Sequence, residues 1–315
     1  MSEPNKPNVV YTAADRNYVL QACVLARSLA RTQLHPTVFY VLGNDWSPND
    51  SKRLNELSAG NFTAVVRPFT EAAHAGIRLS HDFPVETAFN ILAPQSIFSE
   101  CDRVLYLDAD MVVRKDLSEL FSMELSTPLA AVCDAHISLM GIPSMWRPWR
   151  EESVEPLAPY LNTGTMLIDV KAWNASQMTE AVVHLLRTYS MPCVDQDALN
   201  LVLRGSFDRL PPTFNSMPYH YFKLLRNADL VESSSDIVTA MNDPSIIHFH
   251  RSFFGKPWNI GCWHPWTGEW REHARHIQRF RLPKLALRDN LRGLAARFAG
   301  MAAVDPRAIG KNVKD

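Results

Sequence analysis

Apolar and polar positions along this chain repeat with two alternating periods. Short apolar runs at 9–14, Thr37–Leu42, 62–66 and 104–107 are rich in Val, Phe, Tyr and Leu and read as strands. Between them, 19–30 reads as an amphipathic helix, and 49–57 and 85–98 read as helices. The second opens on the start signal Ser47-Pro48-Asn49-Asp50, and the third is expected to run through Pro94. Further strands are expected at Leu129–Cys133, 161–170 and 246–249, and further helices at 177–189 and 196–203. Strand and helix alternate without internal repeats, the pattern of an α/β domain whose central, mostly parallel sheet is flanked by helices.

One run carries more than structure. Val104-Leu105-Tyr106-Leu107 is uninterruptedly apolar, as in a strand buried on both faces, and it stops at Asp108-Ala109-Asp110. In open α/β sheets ligands bind outside the carboxyl ends of the strands. Two carboxylates there suit a hard divalent cation, and that cation suits a diphosphate. Taken alone, an acidic turn that merely ends a strand explains the pair equally well.

Composition narrows the setting. With 315 residues, 46% hydrophobic and 21% charged, the chain can bury a large core, and a net charge of −1 gives no pull toward nucleic acid. The charge is unevenly placed. From Arg279 onward nine Lys/Arg face three Asp, a tail of +6 on a body of −7. Within 282–304, Leu287, Leu291, Leu294, Phe298 and Met301 form one helical apolar stripe among Arg288, Arg292 and Arg297. Such a stripe serves docking on the body or binding to an anionic membrane surface, and the charge favours the membrane. The expected organisation is a catalytic domain over 1–278 and a basic tail over 279–315. Cys23, Cys101, Cys133, Cys193 and Cys262 are odd in number and scattered, which fits a reducing compartment rather than a disulfide framework or a zinc site. Met-Ser-Glu-Pro-Asn-Lys-Pro lacks the apolar segment of a secretory leader, and no apolar run approaches the roughly 18 residues of a spanning helix, so the cytoplasm is expected. Two tryptophan-rich stretches, 135–159 and the one holding Trp258, Trp263, Trp266 and Trp270, read as loops. Their aromatic faces suit sugar rings or simple loop packing.

From about Val9 to Trp270 the chain resembles the family 8 glycosyltransferases, the retaining group that includes glycogenin and bacterial lipopolysaccharide galactosyl- and glucosyltransferases. Five motifs in order carry the resemblance: Tyr11-Thr12-Ala13-Ala14-Asp15-Arg16-Asn17-Tyr18, Asp108-Ala109-Asp110, Tyr160-Leu161-Asn162-Thr163-Gly164, Asp195-Gln196-Asp197, and Ile246-Ile247-His248-Phe249 followed by Gly255-Lys256-Pro257-Trp258. The resemblance implies a GT-A-like nucleotide-sugar-binding fold. It places Ala13, Asp15, Asn17 and Tyr18 on the nucleotide, with Tyr18 stacked on uracil. It places Asn162 and Gly164 on the donor sugar, Asp195 and Gln196 as catalytic residues beside the anomeric carbon, and Gly255 and Lys256 on the pyrophosphate. Asp108, Asp110 and His248 become the metal ligands, a mixed carboxylate–imidazole set that suits Mn²⁺ better than Mg²⁺.

Two departures stand out. Asn90 occupies a position where relatives carry Arg or Lys, so it keeps a hydrogen-bonding tip and loses the cation. The interval from His248 to Lys256 is two residues longer than usual. His250 would restore that interval but break the Ile-Ile-His-Phe register, so His248 is favoured and His250 is the fallback. The expected activity is Mn²⁺-dependent transfer of a hexose from a UDP-sugar to a glycan or lipid-linked acceptor, by a front-face or a double-displacement route. Two alternatives stay open at this point: a UDP-sugar-binding protein with lost turnover, suggested by the two departures, and a haloacid-dehalogenase-type phosphatase. In the latter, Asp108 would be the nucleophile and Asp110 the general acid, but three strands precede the motif and no Gly-Asp pair follows.

Overall fold

A computed structural model of the chain describes residues 6–69, 77, 85–134, 151–152, 159–220, 234–250, 252, 254–259 and 261–277. The first half alternates as the pattern requires: β1 (Asn8–Ala13), α1 (Val19–Thr32), β2 (Thr37–Leu42), α2 (Pro48–Asn55), β3 (Phe62–Arg67), α3 (Phe89–Ser96) and β4 (Arg103–Leu107). There follow β5 (Met111–Val113), α4 (Ser118–Ser122), β6 (Leu129–Cys133), β7 (Leu161–Asp169), α5 (Val170–Ala175), α6 (Met178–Thr188) and α7 (Val194–Leu203). The chain then forms β8 (Asp208–Arg209), α8 (Ser234–Asn242), β9 (Ile246–His248) and α9 (Thr267–His276).

Seven strands form the central sheet in the order β3-β2-β1-β4-β7-β6-β8. The pairs β3–β2, β2–β1, β1–β4 and β6–β8 are parallel, and β7 runs antiparallel to both its neighbours. Neighbouring residues of one strand enter opposite cores. Tyr11, Val104 and Tyr106 pack with Phe89, Ile91, Leu186 and Leu199 on one face, while Val10, Leu105 and Leu107 pack with Leu25, Leu29 and Trp270 on the other. This two-sided burial explains the uninterrupted apolar run of β4. The strand order runs to either side of β1, with β2 and β3 on one side and β4 on the other, and the crevice at such a switch between β1 and β4 is where α/β sheets take ligands.

The reversed strand matters for what gathers there. Because β7 is antiparallel, its first residues reach the edge where β1 and β4 end. Leu107 lies opposite Thr165, and the Asp108 N–H donates to the Gly164 carbonyl at 2.9 Å. A second, two-stranded sheet pairs β5 with β9, setting Met111 opposite His248.

Several expectations change in detail. The helix at 85–98 opens as a 3-10 turn, Val85–Ala88, before α3 begins. Pro94 is tolerated inside α3 because the carbonyl it leaves without an amide partner, that of Asn90, accepts from the Tyr11 hydroxyl at 2.7 Å. The second tryptophan-rich stretch is not all loop: Trp270 sits fully buried on α9. That helix has little apolar periodicity to betray it, since Trp270 and Ala274 are its buried apolar residues. The other stretch, 135–159, lies outside the described residues except at 151, 152 and 159, and the tail 279–315 lies outside them entirely. All five cysteines are free, and among the described residues no helix is long and apolar enough to cross a membrane.

Candidate active site

The turn from β4 into β5 carries Asp108 and Asp110, and the pairing of β5 with β9 brings His248 to them. Phe249 donates its N–H to the Asp110 carbonyl at 3.0 Å, which fixes that register beside the acidic turn. His248 Nε2 lies 3.4 Å from Asp108 Oδ2 and 3.3 Å from Asp110 Oδ1. One ligand atom from each of the three residues falls within 4.8 Å of the others. Tyr106 donates its hydroxyl to Asp108 Oδ1 at 2.8 Å, and the Lys256 ammonium contacts Asp110 Oδ2. Burial pushes the Asp108 carboxyl above its ordinary pKa range, with His248 working the other way. Burial also opposes ionisation of Asp110, but Lys256 and His248 together outweigh it and hold that carboxyl well below the ordinary range.

These residues fit a divalent cation. The His248 ring is 1% exposed and its Nδ1 is held by Asn215 Oδ1 at 2.9 Å, so Nε2 is the nitrogen turned toward the two carboxylates. A ligating imidazole anchored through its other nitrogen is the usual arrangement in metal sites. His250, the fallback, lines the same cavity but stands edge-on to His248 with ring centres 5.4 Å apart, and it is absent from the three-residue cluster. Burial, then His248, lowers its pKa to about 4, so it is a neutral wall. Lys256 follows Gly255, whose φ of +75° is a backbone conformation that favours glycine. The Lys256 ammonium also lies 5.3 Å from the centre of the Trp258 ring.

The cluster forms one wall of a cavity of about 580 Å³. From the end of β1 come Ala13, Asp15 and Tyr18, from α3 Asn90, from β7 Asn162, and from α7 Asp195 and Gln196. Three expected residues lie off its surface. Asn17 turns back to donate to Asp15 Oδ2 at 2.7 Å, helping to cap the turn before α1. Gly255 acts through its turn. Gly164 lies beneath the histidine: a Cβ there would be 2.6 Å from His248 Cε1 and 2.8 Å from Met111 Cε. The close approach that demands glycine at 164 is therefore to the His248 ring.

At the α7 end, Asn90 donates to Asp195 Oδ2 at 2.7 Å. Burial raises the Asp195 carboxyl to about 7, against the lowering effect of the Asn90 hydrogen bond. Asp197 points away from the cavity, accepting from the Tyr160 hydroxyl at 2.6 Å and the Cys193 N–H at 2.7 Å; burial raises it to about 6. Gln196 accepts from Asn162 Nδ2 at 3.0 Å and the Thr163 N–H at 3.2 Å, and donates to Asp134 Oδ2 at 3.2 Å. Sequence reasoning missed Asp134 and Asn215. Neither sits in a spacing that points to a ligand, and the sole signal was a polar residue at the edge of an apolar segment.

Comparison with known proteins bears on family and fold. The family model described as Glycosyl transferase family 8 matches residues 9–261. General stress protein A of Bacillus subtilis (strain 168) is 28% identical over 279 residues, 85% of this chain and 93% of that protein. Lipopolysaccharide 1,2-glucosyltransferase of Escherichia coli (strain K12) is 25% identical over 271 residues, covering 82% and 74%. Among solved structures, the galactosyltransferase LgtC in complex with donor and acceptor sugar analogs superposes with a TM-score of 0.72 at 23% identity. That match covers 87% of this chain and 97% of LgtC, and the shared fold is GT-A-like.

Proposed function

The chain belongs to glycosyl transferase family 8 and is a glycosyltransferase, and from that premise we propose that it moves a hexose, with retention, from a UDP-sugar to a glycan or lipid-linked acceptor of the lipopolysaccharide or cell-surface type. The observation that carries this reading is the convergence of Asp108, Asp110 and His248 within 4.8 Å at the strand ends, on the wall of a cavity large enough for a nucleotide-sugar. Family membership sets aside the phosphatase alternative. The likeness to the Escherichia coli glucosyltransferase supports the acceptor class.

In this reading Asp108, Asp110 and His248 hold Mn²⁺, and the bound ion supplies positive charge opposite the diphosphate leaving group. The chain's own residues do the rest. Tyr18, 37% exposed at the cavity mouth and edge-on to Trp258, offers its ring to the uracil. Asp15 accepts from the nucleoside hydroxyls or base. Lys256 leaves Asp110 for the diphosphate, adding a second cation where negative charge develops. Asp195, held by Asn90, presents a carboxylate to the electron-poor anomeric carbon, and Gln196 and Asn162 line the adjoining wall. On the front-face route the acceptor hydroxyl attacks that carbon on the face the diphosphate leaves, and its proton passes to the departing phosphate oxygen.

The test is hydrolysis of a panel of UDP-sugars with and without Mn²⁺, which needs no acceptor. Release of UDP from one or more UDP-hexoses, dependent on the ion, supports the reading. Release from none, with acceptor glycans also inert, would overturn it.

A further inference from the structure

Five buried side chains, from the metal histidine to the catalytic wall, form one continuous line. Asp134, Asn162, Gln196, Asn215 and His248 are 3%, 2%, 9%, 0% and 1% exposed. The direction of every hydrogen bond along the line follows from two backbone N–H groups, which can only donate. The Gly164 N–H donates to Asn162 Oδ1 at 3.0 Å, so the Asn162 amide nitrogen must face the other way. It donates to Gln196 Oε1 at 3.0 Å and to Asp134 Oδ2 at 2.8 Å. The Thr163 N–H donates to Gln196 Oε1 at 3.2 Å, which turns the Gln196 amide nitrogen onto the same Asp134 oxygen at 3.2 Å. On the other side, Asn162 Oδ1 accepts from Asn215 Nδ2 at 2.8 Å. The Asn215 oxygen therefore faces the imidazole, and His248 Nδ1, 2.9 Å away, must be its donor. Among the described residues Asn215 is the single step between the two halves, and a buried amide answers on both sides what a hydrocarbon side chain could not.

We propose that Asn215 is a positioning residue that fixes His248 as the Nδ1–H tautomer and ties the metal ligand, through Asn162, to the orientation of Gln196. The inference rests on the metal and donor assignments made above and adds the link between them. The two functions of Asn215 reside in different atoms. Its oxygen orients the histidine, and its nitrogen supports Asn162 and, through it, Gln196. Asn215→Asp keeps an acceptor for His248 Nδ1 and replaces the donor facing Asn162 with a second acceptor. Asn215→Ala removes both.

The experiment is isothermal titration of Mn²⁺ into the full chain, native and both variants, beside UDP-sugar hydrolysis and thermal unfolding of the same samples. Removing such a supporting partner typically costs about 10–100-fold in metal affinity. Asn215→Ala is expected to lose that much. Asn215→Asp is expected to bind Mn²⁺ within about threefold of native, its acceptor intact, while kcat for hydrolysis falls about tenfold or more with KM little changed. Equal losses of Mn²⁺ affinity in both variants, or native affinity in Asn215→Ala, would overturn the link. Should Asn215→Asp fail to fold, Asn215→Ser, which keeps a small polar group, must bind Mn²⁺ more tightly than Asn215→Ala or the inference fails. Absence of Mn²⁺ binding by the native chain would instead overturn the metal assignment itself, and this inference with it.

Discussion

Gly164→Ala adds one methyl group at the place where the structure has least room for it. The new Cβ would lie 2.6 Å from His248 Cε1, 2.8 Å from Met111 Cε and 2.9 Å from Asn162 Oδ1. Carbon atoms pack best at about 3.5–4.0 Å, so the ring must retreat by about 1 Å. The φ at Gly164 is not positive, so the penalty is purely steric. Overpacking of this kind costs about 1–3 kcal/mol of stability, or roughly 1.5 °C in Tm for each kcal/mol in a chain of this size. The functional loss is expected to be greater than that. A catalytic group displaced by about 1 Å loses on the order of 10²-fold in rate, and the ring that must move is the proposed metal ligand, bonded to Asn215. Differential scanning calorimetry and Mn²⁺ titration should therefore show a modest fall in Tm with at least about a tenfold fall in metal affinity. Gly268→Ala is the control, since nothing lies within 4 Å of a Cβ there, and both readings should stay native. Native Mn²⁺ affinity in Gly164→Ala would refute the packing argument.

Asp195 should govern the pH dependence. Its carboxyl sits at about 7 in the fold, against about 3.9 in an unfolded chain, so between those values the folded state holds a proton the unfolded state has lost. The contribution to stability is complete below pH of about 4 and is lost as pH rises through about 7; urea titrations over that range should show the slope, and Asp195→Asn should flatten it. Because the reading uses the ionised carboxylate, hydrolysis should rise with pH through about 7, and Asn90→Arg, by placing a cation beside Asp195, should move that limb to lower pH and change the ranking of UDP-sugars. An unmoved limb and an unchanged ranking would mean that residue 90 does not act on the donor. His248→Ala should raise the Mn²⁺ concentration for half activity far more than His250→Ala, and the reverse order would identify His250 as the ligand. If the basic tail holds the enzyme at a membrane, the full chain should pellet with anionic liposomes at low salt and a chain ending at Arg281 should not; equal behaviour of the two would refute that role.

How much of this was legible in the sequence follows from what each feature depends on. The strands β1, β2, β3, β4 and β6 announced themselves because apolar runs bounded by polar residues depend on local composition alone. Asp108 and Asp110 were legible because they end such a run, whereas His248 was named by the family resemblance, since a lone histidine on a strand carries no such signal by itself. The direction of β7 was not legible: a strand buried on both faces reads the same in either direction, and its reversal is what brings Asn162 and Gly164 to the site. The pairing of Met111 with His248 depends on residues 137 positions apart meeting across a short sheet; β9 was expected, but β5, three residues directly after the acidic turn, left too little pattern to separate it from β4. Asn215 and Asp134 were invisible for a further reason. Their value lies in whom they bond, and an isolated amide or carboxylate carries no trace of its partner.

Asp108, Asp110 and His248 are the proposed metal site on which sugar transfer depends. The most direct measurement is UDP release from the preferred UDP-hexose by the native chain, by the native chain with EDTA, and by Asp110→Ala, each beside Mn²⁺ titration. Loss of Asp110 leaves one carboxylate and one imidazole, too few to hold the ion against water, and also deprives Lys256 of its partner. The predicted result is Mn²⁺ binding and UDP release in the native chain, and neither under chelation or in Asp110→Ala. Full UDP release with the chelator present, or by Asp110→Ala, would contradict it.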